Sequence, residues 1–215
     1  MKKHFFLRKN SKILPTSYFD LSRRETLDKE LLLKSHFHFI GIGGIGMSAL
    51  AMGLLKKGCS VSGSDLVKNN ETNKLEQLGA IIFTSQIQQN IEFVISKFTN
   101  KLINFVVSSA IKPENKEFAY CKEKNLSIKH RSEILAMLMR TYTALAVSGS
   151  HGKTSTSTFL STILELCTQN SSSITGGIIP IYNSNCHLDN TKYLVAEVDE
   201  SDGTCLLYTS PSPRD

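Results

Sequence analysis

The residue types best suited to chemistry lie together at positions 149–155. An apolar run at residues 142–147 precedes them and an amphipathic run at residues 156–167 follows, which predicts a strand, a glycine turn and a helix. Glycines let backbone N–H groups face a polyphosphate, a lysine can reach its β- and γ-phosphates, and a threonine hydroxyl can ligate Mg²⁺. The predicted ATP-binding residues are Gly149, Ser150, His151, Gly152, Lys153, Thr154 and Ser155.

This phosphate loop is the shorter form of the pattern, G-x-x-G-K-[ST]. Val147 stands where the longer form has its first glycine, so an ordinary strand-to-helix turn with an exposed lysine is the alternative. A carboxylate at the end of a later strand would complete a Mg²⁺ site. Residues 193–197 predict such a strand, and Glu197 is the first candidate. The alternative is that the acidic residues from 197 to 202 form an exposed loop.

A second glycine-rich turn lies nearer the N-terminus, at residues 41–46. Residues 36–40 predict a strand and residues 47–57 an amphipathic helix, so the G-x-G-x-x-G pattern has the setting of a βαβ unit that binds a dinucleotide or a nucleotide sugar. Gly41 would make the tight turn, Gly43 would admit a diphosphate, and Gly46 would let helix and strand pack closely. Asp65 follows the next strand and could contact a ribose hydroxyl; a helix cap or a turn is its alternative role.

The rest of the chain predicts alternating strands and helices. Strands at 59–63, 80–83, 103–107 and 126–129 alternate with helices at 71–78, 113–124 and 131–140, which indicates an α/β fold with a covered parallel sheet. Ser108 and Ser109 follow a strand at the edge where such sheets bind ligands, although a serine-rich turn is the alternative. We expect residues 171–177 to be loop beside a short strand, and residues 180–190 to be a surface excursion with a solvated His187.

Composition excludes several classes of protein. The net charge of the 215 residues is +6, and residues 1–34 carry nine Lys and Arg against four Asp and Glu, so the remainder is nearly neutral and no nucleic-acid surface is expected. No apolar run has the ~20 residues of a membrane span. Five widely spaced cysteines indicate reduced, mostly buried thiols in the cytoplasm. Residues 1–34 read as an extension with a short helix within 23–34, and a transit peptide is the alternative.

Six motifs, in this order, resemble the Mur ligase family of peptidoglycan synthesis. The similarity covers residues 36–204 and is closest to the branch that joins L-alanine to UDP-N-acetylmuramate. The motifs are HFIGIGGIGMS at 38–48, GSD at 63–65, SSAI at 108–111, HRSE at 130–133, GSHGKT at 149–154 and EVDESD at 197–202.

The resemblance implies a domain order and a set of site residues. A Rossmann-like UDP-binding domain would occupy residues 35–140, and the beginning of a P-loop-type ATP-binding domain residues 141–204. The composition changes at residues 205–215, which we expect to be a disordered tail, either a natural loop cut short or a sequence foreign to the gene. The implied contacts with the UDP substrate come from Gly43, Gly44, Ile45, Gly46, Met47, Ser48, Asp65, Ser108 and Ser109.

The resemblance also implies a reaction. The lactyl carboxylate of the sugar takes the γ-phosphate of ATP, and the amine of L-alanine then displaces phosphate from the acyl phosphate. Lys153 would be the catalytic residue that stabilises the transferring phosphoryl group, while Thr154 and Glu197 would hold Mg²⁺. Members of the family continue beyond this point to a further metal-ligating histidine and an amino-acid-binding domain. We therefore expect a fragment that is inactive alone, with no indication of its oligomeric state.

Two functions of other kinds remain open from the sequence. The chain could be a nucleotide-sugar-binding module without catalysis, or a dehydrogenase that uses the first glycine loop for NAD. Binding of UDP-N-acetylmuramate in preference to NADH would exclude the dehydrogenase.

Overall fold

The computed structural model describes residues 30–198 except 168 and 190, together with two short antiparallel strands, β1 (Arg8–Lys9) and β2 (Lys12–Ile13). Residues 30–33 are helical and lead into the first of two larger sheets. The acidic residues 199–202 and the predicted tail 205–215 lie outside the described residues, as does most of the predicted N-terminal extension.

The first sheet has five parallel strands in the order β5-β4-β3-β6-β7. The strands are β3 (Ser35–Ile40), β4 (Ser60–Ser64), β5 (Ile81–Phe83), β6 (Leu102–Val107) and β7 (Ile128–His130). The helices between and after them are α1 (Ile45–Lys56), α2 (Asn70–Gln77), α3 (Gln88–Lys97), α4 (Lys116–Glu123) and α5 (Arg131–Met139). The predicted α/β fold with a parallel sheet is confirmed.

One helix of this sheet was not anticipated from the sequence. Residues 88–90 are polar and no helix was predicted between the strands at 80–83 and 103–107, yet α3 spans Gln88–Lys97. It forms because Ile91 and Val94 pack with Phe105 and Cys121 in a separate small hydrophobic cluster. Tertiary burial therefore decides the structure of this segment where local propensity is weak.

The second sheet has four strands in the order β10-β9-β11-β8. They are β8 (Thr143–Val147), β9 (Ser171–Ile179), β10 (Ser184–His187) and β11 (Tyr193–Glu197), with α6 (Lys153–Leu166) after β8 and a 3₁₀ turn at Pro180–Tyr182. Strand β11 pairs in parallel with β8 and β9, whereas β10 pairs antiparallel with β9. The predicted strand at residues 193–197 is confirmed.

Three predictions in this region were wrong. Residues 171–177, expected to be loop, belong to the nine-residue strand β9, which is paired on both sides and so overrides the poor strand propensity of its serines and glycines. Residues 180–190, expected to be a surface excursion, include β10. His187 was expected to be solvated, but it stacks on Tyr182 at 3.9 Å between ring centroids and lies 3.1 Å from the Asp189 carboxylate.

The main hydrophobic cluster contains residues from both sheets. Helix α1 supplies Leu50 and Leu54 from one side, and Ile174, Leu188 and Leu194 join the cluster from the other. A Cβ on Gly53 would lie 2.6 Å from Leu188 Cδ1, so the glycine lets Leu188 pack closely against α1. The division into domains at residues 140 and 141 stays a prediction.

The cysteines follow the sequence interpretation. Cys59, Cys121 and Cys186 are buried, Cys167 is exposed, and no disulfide joins these four. Burial raises the pKa of the Cys59 thiol to about 11, which keeps it protonated. Cys205 lies outside the described residues. Within the described residues, no helix combines the length and apolar character that crossing a membrane requires.

Candidate functional site

The glycine loop at residues 41–46 is held by the end of the neighbouring strand. The N–H groups of Gly41 and Ile42 both donate to the Ser64 carbonyl oxygen, at 2.8 and 3.0 Å. Gly41 has a φ of 81°, a conformation that glycine adopts without steric cost. The chain thereby turns sharply out of β3 and enters α1 with its first N–H groups directed toward the carboxyl edge of the sheet.

Asp65 contacts this loop directly. Its Oδ2 accepts the N–H of Gly43 at 2.8 Å, and the Asn69 amide donates to the Gly43 carbonyl at 3.0 Å. A Cβ on Gly43 would lie 2.8 Å from Asp65 Oδ2. The space at Gly43 is thus occupied by two protein side chains that hold the loop in shape. Contacts of Gly43 with a diphosphate and of Asp65 with a ribose stay predictions.

A cavity of about 510 Å³ lies at the carboxyl edge of the first sheet. It brings together predicted residues from the glycine loop and from the end of β6. Ser48 differs from the other predicted residues, because it is fully buried and its hydroxyl donates to the Ile45 carbonyl at 3.0 Å. The cavity is lined by Gly44, Ile45, Gly46, Met47, Ser108, Ser109, Ala110 and Arg131.

Arg131 is a cavity residue that sequence reasoning had not assigned to the site. Its Nη1 lies 2.9 Å from the position that a Cβ on Gly46 would occupy, so the missing side chain at Gly46 leaves room for a guanidinium. A guanidinium beside a helix N-terminus favours a bidentate anion such as a diphosphate. The available signal was position: Arg131 directly follows β7, at the same carboxyl edge as the glycine loop.

Ser109 is oriented by a histidine at the start of α5. Its Oγ lies 3.2 Å from His130 Nε2. The N–H of Ser132 points to His130 Nδ1 at 3.4 Å, which assigns the ring proton to Nε2 and makes His130 the donor to Ser109. This contact holds the Ser109 side chain at the edge of the cavity.

The phosphate loop lies in the second sheet, between β8 and α6, as predicted. Gly152 is the residue before the helix and has a φ of 75°. The Lys153 ammonium donates to the Gly149 carbonyl at 2.7 Å, across the mouth of the loop. Ser150, His151, Thr154 and Ser155 are exposed around it. The loop therefore presents a helix N-terminus and a lysine on one surface.

Comparison with known proteins gives this arrangement a family. The family model for the Mur ligase family, catalytic domain, matches residues 36–143. A UDP-N-acetylmuramate–L-alanine ligase of Prochlorococcus marinus subsp. pastoris is 70% identical over 184 residues, which cover 86% of this chain and 39% of that protein. The chain belongs to the Mur ligase family. It spans about two fifths of the length of this relative.

Solved structures agree with the Mur ligase assignment. The crystal structure of UDP-N-acetylmuramate-alanine ligase from Thermotoga maritima has a TM-score of 0.65 and 27% identity, covering 77% of this chain and 37% of that one. A structure of UDP-N-acetylmuramate:L-alanyl-gamma-D-glutamyl-meso-diaminopimelate ligase from Neisseria meningitides, with a TM-score of 0.68 and 24% identity over 77% of this chain and 53% of that one, shares the fold.

The Mur ligase chain has oxygen atoms suited to Mg²⁺ beside its phosphate loop. Thr154 Oγ1 donates to Glu197 Oε2 at 3.3 Å, and Glu197 Oε1 is buried without a hydrogen-bond partner among the described residues. A buried carboxylate oxygen without a partner is unfavourable unless a cation or water satisfies it. The described residues contain no cluster of three or more His, Cys, Asp or Glu, but Mg²⁺ needs only one or two carboxylates, with water and phosphate oxygens as its other ligands.

Two glycines that were predicted to be loop contribute to this Mg²⁺-compatible pair. A Cβ on Gly176 would lie 3.0 Å from Glu197 Oε2, and one on Gly177 would lie 2.9 Å from Thr154 Cγ2. Strand β9 therefore passes close to both oxygen donors because it lacks side chains at these positions. The glycine doublet, followed directly by Ile178 and Ile179, was the signal in the sequence for such a close approach.

Proposed function

We propose that this chain is part of an ATP-dependent ligase that joins L-alanine to UDP-N-acetylmuramate. The observation that carries the proposal is the presence of two separate ligand loops, a glycine loop with Arg131 in one sheet and a phosphate loop with Lys153 in the other. One loop serves the nucleotide sugar and the other serves ATP. The name of the 70% identical relative supports this choice of substrates.

The residues divide the reaction between them. The cavity at Gly44, Gly46 and Arg131 holds the diphosphate of the sugar. Lys153 stabilises charge on the transferring γ-phosphoryl group, and Thr154 with Glu197 would hold Mg²⁺, which neutralises phosphate charge when bound. The lactyl carboxylate attacks the γ-phosphorus with loss of ADP. The amine of L-alanine then attacks the acyl carbon, and phosphate leaves.

We also propose a cellular location for the protein and a partial activity for this chain. UDP-sugars and ATP are cytoplasmic substrates, so we place the protein in the cytoplasm. We assign no residue of this chain to L-alanine, and we propose that the 215-residue chain binds the UDP-sugar without forming the amide.

We expect Arg131→Met to weaken binding of UDP-N-acetylmuramate to the chain by roughly 10- to 100-fold, because a charge-assisted hydrogen bond to the diphosphate is lost. Titration calorimetry measures the dissociation constant. Arg140→Met is the matched control, since Arg140 is an exposed arginine at the other end of the same helix.

Three outcomes of this titration would contradict the assignment. Arg131→Met could bind the UDP-sugar within a factor of about two of wild type, or the Arg140 control could weaken binding equally. Binding of NADH by the unaltered chain in preference to UDP-N-acetylmuramate would favour a dehydrogenase and overturn the proposed function.

We expect Glu197→Gln to remove most of the enhancement that Mg²⁺ gives to ATP binding, by about tenfold or more, because a neutral amide replaces the carboxylate ligand. The measurement is the affinity for ATP with and without Mg²⁺, together with the spectrum of bound Mn²⁺. Glu165→Gln, an exposed glutamate on α6, is the control. Equal Mg²⁺ enhancement in wild type and Glu197→Gln would refute the role of Glu197.

A further inference from the structure

A buried carboxylate lies beneath the glycine loop and is not used by the proposed reaction. Glu117, in the first turn of α4, is fully buried. Its Oε2 accepts the hydroxyl of Ser64, and its Oε1 accepts the Asn90 amide at 2.7 Å. Burial of a carboxylate is costly unless donors surround it. The buried Glu117 carboxylate therefore lowers the stability of the fold unless these donors compensate for its desolvation.

A series of polar contacts leads away from this carboxylate through strands β3 and β4. His38 Nε2 lies 3.9 Å from Glu117 Oε1, beyond hydrogen-bond distance but close enough for electrostatic attraction. His38 Nδ1 and His36 Nε2 both lie 2.8 Å from the Ser62 hydroxyl. His36 Nδ1 is 3.0 Å from the Ser60 hydroxyl, which also accepts from Lys101 Nζ at 3.0 Å.

The direction of donation along these contacts follows from the tautomer of His38. If His38 carries its proton on Nε2, facing the carboxylate, its Nδ1 must accept from Ser62. Ser62 then accepts from His36 Nε2, and His36 Nδ1 accepts from Ser60. The pKa of His36 is lowered to about 3, by burial first and by the charges of nearby groups second, so this ring stays neutral. With this tautomer, each hydrogen bond in the series from Lys101 to His38 is donated in the direction of Glu117.

The carboxylate connects this network to the ligand loop through one residue. Ser64 donates its hydroxyl to Glu117, and the carbonyl of the same residue accepts the N–H groups of Gly41 and Ile42. The next residue, Asp65, accepts the N–H of Gly43. Displacement of Ser64 would therefore move the acceptors of three successive amides in the glycine loop.

We propose that Glu117 is a positioning residue of the nucleotide-sugar site, which fixes the glycine loop through Ser64. Glu117 does not touch the ligand. It sets the geometry that the loop presents before the ligand arrives, which is the condition for tight binding with little reorganisation. The inference rests on the proposed function only for the identity of the ligand.

The test measures the loop and the ligand separately in the chain. We expect Glu117→Gln to speed amide hydrogen exchange at Gly41 and Ile42 by about tenfold or more. Ser64 and Asn90 donate to different oxygens of Glu117, and a glutamine side chain has an acceptor oxygen at only one of these two positions. The substitution should leave exchange near Gly152 unchanged. The dissociation constant of UDP-N-acetylmuramate should rise roughly tenfold. Ser64→Ala should act similarly, and the double variant should add little.

Cys121→Ala is the matched control for a general loss of stability. Cys121 is also fully buried on α4 but packs in the small hydrophobic cluster. It should lower the free energy of unfolding without changing exchange at Gly41 or the dissociation constant. Unchanged exchange at Gly41 and Ile42 in Glu117→Gln, or the same change in Cys121→Ala, would overturn the inference. Failure of the wild-type chain to bind the UDP-sugar would sink the proposed function alone, because the exchange rates are measured without ligand.

Discussion

Lys153→Ala should lower kcat for ligation by about 10²–10³-fold. The protein for this test is a ligase that contains this segment and has the length of its relatives. Lys153 is the first residue of α6, and its ammonium spans the phosphate loop to the Gly149 carbonyl at 2.7 Å. In that position it can stabilise charge on a γ-phosphoryl group more in the transition state than in bound ATP. Its loss should therefore reduce kcat rather than only weaken ATP binding.

The same substitution should leave the affinity for UDP-N-acetylmuramate within about a factor of two, because the cavity proposed for the sugar belongs to the other sheet. Alanine-dependent phosphate release gives kcat, and calorimetry gives the affinity. Lys192→Ala, which removes another lysine of the same half of the chain, is the control. A kcat for Lys153→Ala within tenfold of wild type would show that Lys153 is not the catalytic residue.

Local patterns predicted the two loops and the elements that flank them. Strand, glycine turn and helix follow each other closely along the chain, so the sequence around Gly41 and the sequence around Gly152 were each enough to predict a turn there. The prediction of β11 succeeded for the same reason, since Tyr193–Glu197 is a short apolar run with a polar end.

Non-local contacts account for what the sequence did not reveal. Strand β9 contains three serines and two glycines, and only its pairing with β10 and β11 makes it a strand. Arg131 reaches Gly46 across the sheet, and Glu117 reaches Ser64. The loop residues and the two serines of the cavity were predicted from local patterns, whereas the contact of Arg131 with the space at Gly46 and that of Glu117 with Ser64 are side-chain contacts that became visible only in the structure.

Hydrogen bonds, in addition to the hydrophobic cluster, connect helix α1 to the second half of the chain. Asn185 donates to the Ile45 carbonyl at 3.0 Å, and Lys56 donates to the Leu188 carbonyl at 3.1 Å. Helix α1 thus begins at the cavity and makes polar contacts with the second half near both of its ends. A ligand bound in the cavity at the start of α1 would therefore contact a helix that is also attached to the half with the phosphate loop.

Gly63→Ala should destabilise the chain by about 1–3 kcal/mol, because an added methyl group has no space in the centre of the first sheet. A Cβ on Gly63 would lie 2.6 Å from Ile42 Cδ1 and 2.7 Å from the Phe39 carbonyl oxygen. The carbonyl belongs to the paired backbone of β3 and cannot move without breaking the ladder. Ile42 would have to leave its buried position instead, and it belongs to the glycine loop.

The free energy of unfolding in urea measures this effect. The affinity for UDP-N-acetylmuramate should fall as well, because displacement of Ile42 would also displace the glycine loop to which it belongs. Gly44→Ala is the matched control in the same loop. Gly44 has an ordinary extended conformation, with a φ of −66°, and its Cβ would approach no atom closer than 3.7 Å. This control should change stability by less than about 1 kcal/mol. A Gly63→Ala chain as stable as the Gly44→Ala chain would show that the packing of Ile42 under β4 does not fix the loop.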